Sequence, residues 1–130
     1  MATFPAGYLD LNEKKAFANI ATLMDDGTPQ VTPVWYDYTD GKVRVNTATG
    51  RVKAKTLKDG AHVALSIMDP DNPYRYVQVR GHVTRVTQDG ADAHIDALSH
   101  HYMGKDYPFR KEGEDRILVE ITIDKASASG

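Results

Sequence analysis

Two tight turns, close together and each set between runs of β-forming residues, limit the architecture of this chain more than any other feature. Asp25-Asp26-Gly27 and Thr39-Asp40-Gly41 both end in the Asp-Gly pair that suits a hairpin connection. Before the first turn, Ile20, Thr22 and Met24 alternate with Asn19, Ala21 and Leu23. Between the turns, Gln30 to Tyr38 is rich in β-formers, and the second turn leads to Val43-Arg44-Val45-Asn46-Thr47. Strands joined this closely must be antiparallel, since a parallel pair needs a crossover of about a dozen residues or more. The pattern predicts an antiparallel meander and excludes a doubly wound parallel sheet. Pro33 has no N–H to give to a ladder, so its strand is expected at an edge or with a bulge there.

The rest of the chain extends this plan. Asp10 and Glu13 make a capping-box-like start for a short helix over Leu11–Ala16. Ala61 to Met68 reads as a buried strand and ends in Asp69-Pro70-Asp71-Asn72-Pro73, a loop held by two prolines. Tyr74 to Thr87 is a long strand, and Gly81 in its middle predicts a bulge or a close backbone approach. Ala91, Ile95, Leu98 and Tyr102 recur at helical spacing, with Gly104 placed to cap that helix. After a polar loop, Lys105 to Asp115, a last strand puts Ile117, Val119, Ile121 and Ile123 on one face. The expected fold is mainly β with minor α: a barrel of six to seven antiparallel strands with about three helices, one domain over residues 1–130. Residues 1–8 and the small, polar 125–130 are expected to be flexible ends.

Composition narrows the chemistry. There is no cysteine, which removes disulfides, thiolate metal sites and a cysteine nucleophile. The formal charge of −2 argues against general nucleic-acid binding, so a basic site must be a local cluster. No signal-peptide pattern and no apolar run of membrane-spanning length occur, and a cytoplasmic protein without a membrane partner is expected. His62, His82, His94, His100 and His101 do not show metal-ligand spacing, so no metal site is expected. Neither Ser66 nor Ser99 sits in a G-x-S-x-G context, and no GxGxxG or P-loop is present.

One cluster remains. Asn46-Thr47-Ala48-Thr49-Gly50-Arg51-Val52-Lys53-Ala54-Lys55-Thr56-Leu57 runs from a strand through a glycine into a helix-compatible segment with three cations. A helix start favours an anion, and Arg51, Lys53 and Lys55 would add charge-assisted hydrogen bonds. Charge runs also commonly just face water. Thr47 and Thr49 lie beside the cations, Gln30, Thr32 and Asn46 form a polar strip on neighbouring strands, and Met68 and Gln78 stand where apolar strands meet polar loops.

The order of these motifs, with Asp26-Gly27-Thr28-Pro29, Gln30-Val31-Thr32-Pro33-Val34-Trp35 and the segment Asn46–Leu57, resembles the pyridoxamine 5'-phosphate oxidase-like split β-barrel superfamily. Within it, the chain is similar to the short flavin/deazaflavin oxidoreductases of the B class, from about Leu9 to Ile123. The resemblance implies a homodimer with two cofactor sites at the interface and a small-molecule substrate. Lys53 matches the lysine that grips the cofactor phosphate, flanked by Arg51 and Lys55. Thr32-Pro33-Val34 would pack along the ring system, Asn46 and Thr47 would meet the ribityl chain, and Tyr76 and Gln78 would border the ring or reach it from the partner. Thr56 departs from the asparagine usual there. The chain ends soon after Ile123, without the segment that holds substrate phosphate in pyridoxamine-phosphate oxidases proper. The implied cofactor is therefore coenzyme F420 and the implied activity hydride transfer with a small conjugated substrate. FMN, or a tetrapyrrole-binding barrel without turnover, stands as the alternative.

Overall fold

The computed structural model describes residues 2–130. Seven strands form one sheet: β1 (Ala18–Leu23), β2 (Pro29–Val34), β3 (Tyr36–Thr39), β4 (Lys42–Ala48), β5 (His62–Asp69), β6 (Asn72–Thr87) and β7 (Arg116–Ser129). Their order is β2-β1-β5-β6-β7-β4-β3, and every pairing is antiparallel. Three helices accompany them: a 3-10 helix over Ala6–Asn12, α1 (Val52–Thr56) and α2 (Ala91–Met103).

The strand order by itself requires a barrel. β2 and β3 stand at opposite edges of the sheet, yet only Trp35 separates them in the chain. A flat sheet would hold those edges several strands apart at about 4.8 Å per strand, beyond the reach of one residue. The sheet therefore curls until its edges meet at Trp35, giving an open, split β-barrel. The single strand expected over Gln30–Tyr38 is accordingly two, broken at the seam. Pro33 lies in edge strand β2, opposite Asn19, where a missing N–H is tolerated.

The inward face carries the apolar set that the alternation predicts. Ile20, Val43, Val45, Leu65, Ile67, Val77, Val79, Ile121 and Ile123 are buried in one cluster, joined by Leu11 and Phe4. Gly81 is buried where the β6–β7 register shifts, so the sheet bends at the position the glycine marks. α2 spans the predicted residues, and Gly104 closes it in the left-handed region, its N–H donating to the Ser99 and His100 carbonyls. Among the described residues no helix is long and apolar enough to cross a membrane.

Three expectations need correction. The first helix is not a capped turn over Leu11–Ala16 but the 3-10 helix, because the Asp10 carboxylate is held by Arg75 (2.8 Å) and is not free to cap. The tail is no loose end, since β7 runs to Ser129 and pairs Lys125 to Ser129 with Arg80 to Tyr76. That ladder is made by backbone groups, which composition does not report. At the other end the Ala2 N–H donates to the Ile123 carbonyl (3.3 Å) and Phe4 is in the core. Met1, also within the expected flexible end, lies outside the described residues.

Asp69 clamps this end of the barrel. Its buried carboxylate receives Lys14 Nζ (3.0 Å) and Arg75 Nη1 (2.9 Å), tying the chain around the 3-10 helix to the β5–β6 turn. The Asp71 backbone N–H, then Lys14 and Arg75, hold the carboxyl down at about 2 against the opposing effect of burial. A carboxyl whose folded pKa lies below its ordinary value stabilises the fold above that ordinary value, and the contribution fades as pH falls through the folded one. Urea midpoints should therefore drop between about pH 4 and about pH 2. Asp69→Asn should be less stable at neutral pH and lose less across that window. An unchanged slope in the variant would remove Asp69 from the account.

A cation-lined cleft at the barrel seam

The seam places side chains from both halves of the sheet around one cleft of about 260 Å³. β2 and the seam supply Pro33, Val34 and Trp35, β4 supplies Asn46 and Thr47, and the segment after it supplies Arg51 and Lys53. Ile95 and Leu98 of α2 form the floor, and Tyr107, Phe109 and Arg116 complete the rim.

Its two ends differ in chemistry. At one, Arg51, Lys53 and Arg116 meet a single carboxylate, Glu114, which pairs with Arg51 (3.5 Å) and Arg116 (3.0 Å). Lys53 is half-buried and has no ion pair among the described residues. Burial, and then Arg51, draw its ammonium pKa below the ordinary lysine value. An anion in the cleft would offset both effects. Thr47 also lines the cleft, and its hydroxyl oxygen is buried without a partner among the described residues. At the other end Trp35 stacks on Tyr102 (centroids 5.2 Å, planes 5° apart), with Tyr107 edge-on to Trp35. Tyr102 is pinned by its hydroxyl, which donates to the Ala16 carbonyl (2.6 Å), and burial pushes its pKa up to about 12. His101 commits its Nε2 proton to the Lys14 carbonyl (2.7 Å).

Of the residues singled out in the sequence, Pro33, Val34, Asn46, Thr47, Arg51 and Lys53 converge here. The others stand apart from the cleft within one chain. Thr32 pairs with Ile20 in the ladder. Thr49 braces the loop before α1, exchanging hydrogen bonds with the Asp115 backbone (2.9 and 3.1 Å). Lys55 is exposed on α1. Met68 and Tyr76 are cross-strand neighbours on the outer face of β5 and β6, and Gln78 follows beside Arg80 and Lys125. α1 has only five residues, with no side-chain cap at Arg51. The cleft's preference for anions therefore rests on side-chain charge more than on a helix start.

Arg116 went unnoticed in the sequence, where an arginine after Glu114-Asp115 reads as a solvated strand end. The parity of β7 was the available signal: Arg116 shares a face with Leu118, which is also buried, opposite the core-facing Ile121 and Ile123. A larger hollow, about 540 Å³, lies on the outer sheet face between Leu23, Pro29, His62 and Gly81. Its lining is mainly apolar, and Asp124 there is already taken by His82 (2.9 Å). Arg80 and Lys125 also line that hollow, but it lacks the indole and phenol rings that stand beside the cations of the smaller cleft.

Residues 6–130 match the family model described as pyridoxamine 5'-phosphate oxidase. The chain belongs to that family. No curated protein sequence matches it. Among solved structures, an F420 reductase is similar at 34% identity and a TM-score of 0.83, covering 95% of this chain and 98% of that one. A conserved hypothetical protein from Mycobacterium tuberculosis superposes with a TM-score of 0.75 at 20% identity, covering 99% of this chain and 86% of that one. An FAD and heme binding protein from Mycobacterium smegmatis does so at 0.71 and 17%, covering 98% and 71%. The last two share the fold, which in this family serves flavin-type oxidoreductases as well as binders without turnover.

Proposed function

We propose that this family member is an F420-dependent oxidoreductase acting on a small conjugated organic substrate. The observation that carries the reading is the cleft's donor set: Arg51, Lys53 and Arg116 against Glu114 alone, at one end of a slot whose other end is aromatic. Three cations facing one carboxylate fit a phosphodiester, and the planar wall at Trp35 fits a fused ring. Similarity to an F420 reductase along nearly the whole chain supports the same choice. Lys53 and Arg51 would hold the cofactor phosphate, Asn46 and Thr47 the polyol chain, and Pro33, Val34 and Trp35 the ring system. Bound in its reduced form, the deazaflavin would supply a hydride to an electron-poor carbon of the substrate. The chain's own part is to bind, orient and exclude water, and no side chain is assigned as acid or base.

Two copies are proposed to share the sites. Leu23, Val31, Met68 and Tyr74 are exposed, Tyr74 by 83%, and a second chain covering that face would bring Tyr76 and Gln78 toward a neighbouring cleft. Light scattering that returned a stable monomer would remove these outer residues from the site.

Titrating the purified protein with F420 and with FMN tests the cofactor. F420 should bind more tightly, and its reduced form should be oxidised on adding members of a panel of enones, quinones and biliverdin. Preference for FMN would make the protein a flavin enzyme of the same fold. Tight F420 binding with no turnover across the panel would make it a carrier.

A further inference from the structure

A line of hydrogen bonds runs from beneath α2 into the cleft. Arg44 Nε donates to Asp37 Oδ1 (2.8 Å), and Asp37 Oδ2 meets His94 Nε2 (2.7 Å). His94 Nδ1 meets Asn46 Nδ2 (3.1 Å), and Asn46 Oδ1 accepts from Arg116 Nε (2.9 Å). His94 is buried and does not line the cleft, whereas Asn46 and Arg116 do.

The protons along this line can be assigned from one end. Arg116 Nε–H can only donate, so Asn46 must turn its oxygen toward it. The other end of the carboxamide is then NH2, and its two protons point at the Ala91 carbonyl (2.9 Å) and at His94 Nδ1. Nδ1 must therefore be bare, and the imidazole proton lies on Nε2, against Asp37. A proton on Nδ1 would set two donors face to face. Asn46 could relieve that only by turning over, which would present its NH2 to Arg116. The state of His94 and the hold on Arg116 are thus linked.

Arg116 is restrained on its other sides as well. Nη1 donates to Glu114 (3.0 Å), and the guanidinium lies over the Tyr107 ring, 5.0 Å from its centroid. Nη2 has no partner among the described residues. We propose that Arg116 is an anion-binding residue of the cleft through Nη2, and that His94, as its Nε2–H tautomer, is a positioning residue that holds Arg116 through Asn46. The proposal rests on the cleft being a cofactor-anion site. A guanidinium already fixed in place loses less freedom on binding than a mobile one.

Two measurements on the full chain test it. Nitrogen-15 spectra of the wild-type imidazoles should show His94 protonated on Nε2 and bare on Nδ1, and a proton on Nδ1 would overturn the relay. Affinity for F420, with FMN in parallel, should fall about tenfold in Arg116→Lys and in His94→Leu. His94→Asn, whose carboxamide oxygen can stand in for Nδ1, should recover most of the loss. Lys53→Ala separates the two claims. If it binds like wild type, the cleft is not the anion site and the functional reading falls. If it weakens binding while Arg116→Lys and His94→Leu do not, only the present inference falls. Should His94→Leu fail to fold, the wild-type spectrum and Arg116→Lys decide.

Discussion

Gly81→Ala should destabilise the fold by about 3 kcal/mol or more, read as a fall in the urea midpoint. Gly81 is buried on β6, opposite Ile123 of β7, at the register shift that follows Arg80. An added Cβ would collide with the Thr122 carbonyl oxygen and stand 3.1 Å from Ile121 Cγ2. Its neighbour is backbone, fixed in the ladder that joins Tyr76–Thr87 to Leu118–Ser129, so no rotamer change can make room. Relief would require separating the two longest strands at their bend. Trp35, the single tryptophan, lies at the seam and reports the transition by fluorescence. A loss under about 1 kcal/mol would mean that the bend at Gly81 yields more easily than its packing indicates.

The Arg51→Ala/Lys53→Ala double variant should bind F420 about 10² to 10⁴ times more weakly, since each charge-assisted hydrogen bond contributes roughly 1.5–3 kcal/mol. Its thermal stability should barely move. Lys53 has no ion pair among the described residues, and Arg51 is about half exposed and only loosely paired, at 3.5 Å, with Glu114. Glu114 is largely covered but keeps its shorter pair with Arg116 (3.0 Å), so losing a half-exposed partner at 3.5 Å should cost about 1 kcal/mol or less. Isothermal titration beside a thermal melt separates the two effects. Unchanged affinity for both F420 and FMN would move the phosphate elsewhere, and a large drop in melting temperature would make the cluster structural.

Most of the sheet could be read along the chain because its signals are local. The Asp-Gly turns, the alternation of Ile117 to Ile123 and the helical spacing of Ala91 to Tyr102 each involve neighbours within a few residues. Where the reading failed, a distant partner had intervened. Asp10 had the composition of a cap, but Arg75, 65 residues away, takes its carboxylate. Lys125 to Ser129 had the composition of a loose tail, but β6 offers that segment a backbone ladder.

The site divides along the same line. Lys53 and Arg51 could be picked out because they share one short segment with Asn46 and Thr47. Arg116, 70 residues from Asn46, could not. Nor could the relay behind it, which draws on β3, β4, α2 and β7.

By itself, then, the sequence determined the antiparallel meander, the bend residue Gly81, the helix ended by Gly104 and the cation cluster after β4. These follow from turn chemistry, periodicity and charge, which act within a few residues. Only the tertiary structure decided that the sheet closes at Trp35, that Arg116 joins Lys53 in one cleft, and that Met68, Tyr76 and Gln78 stand outside it. Strand order sets those distances, and it depends on which backbone ladders form between segments far apart in the chain.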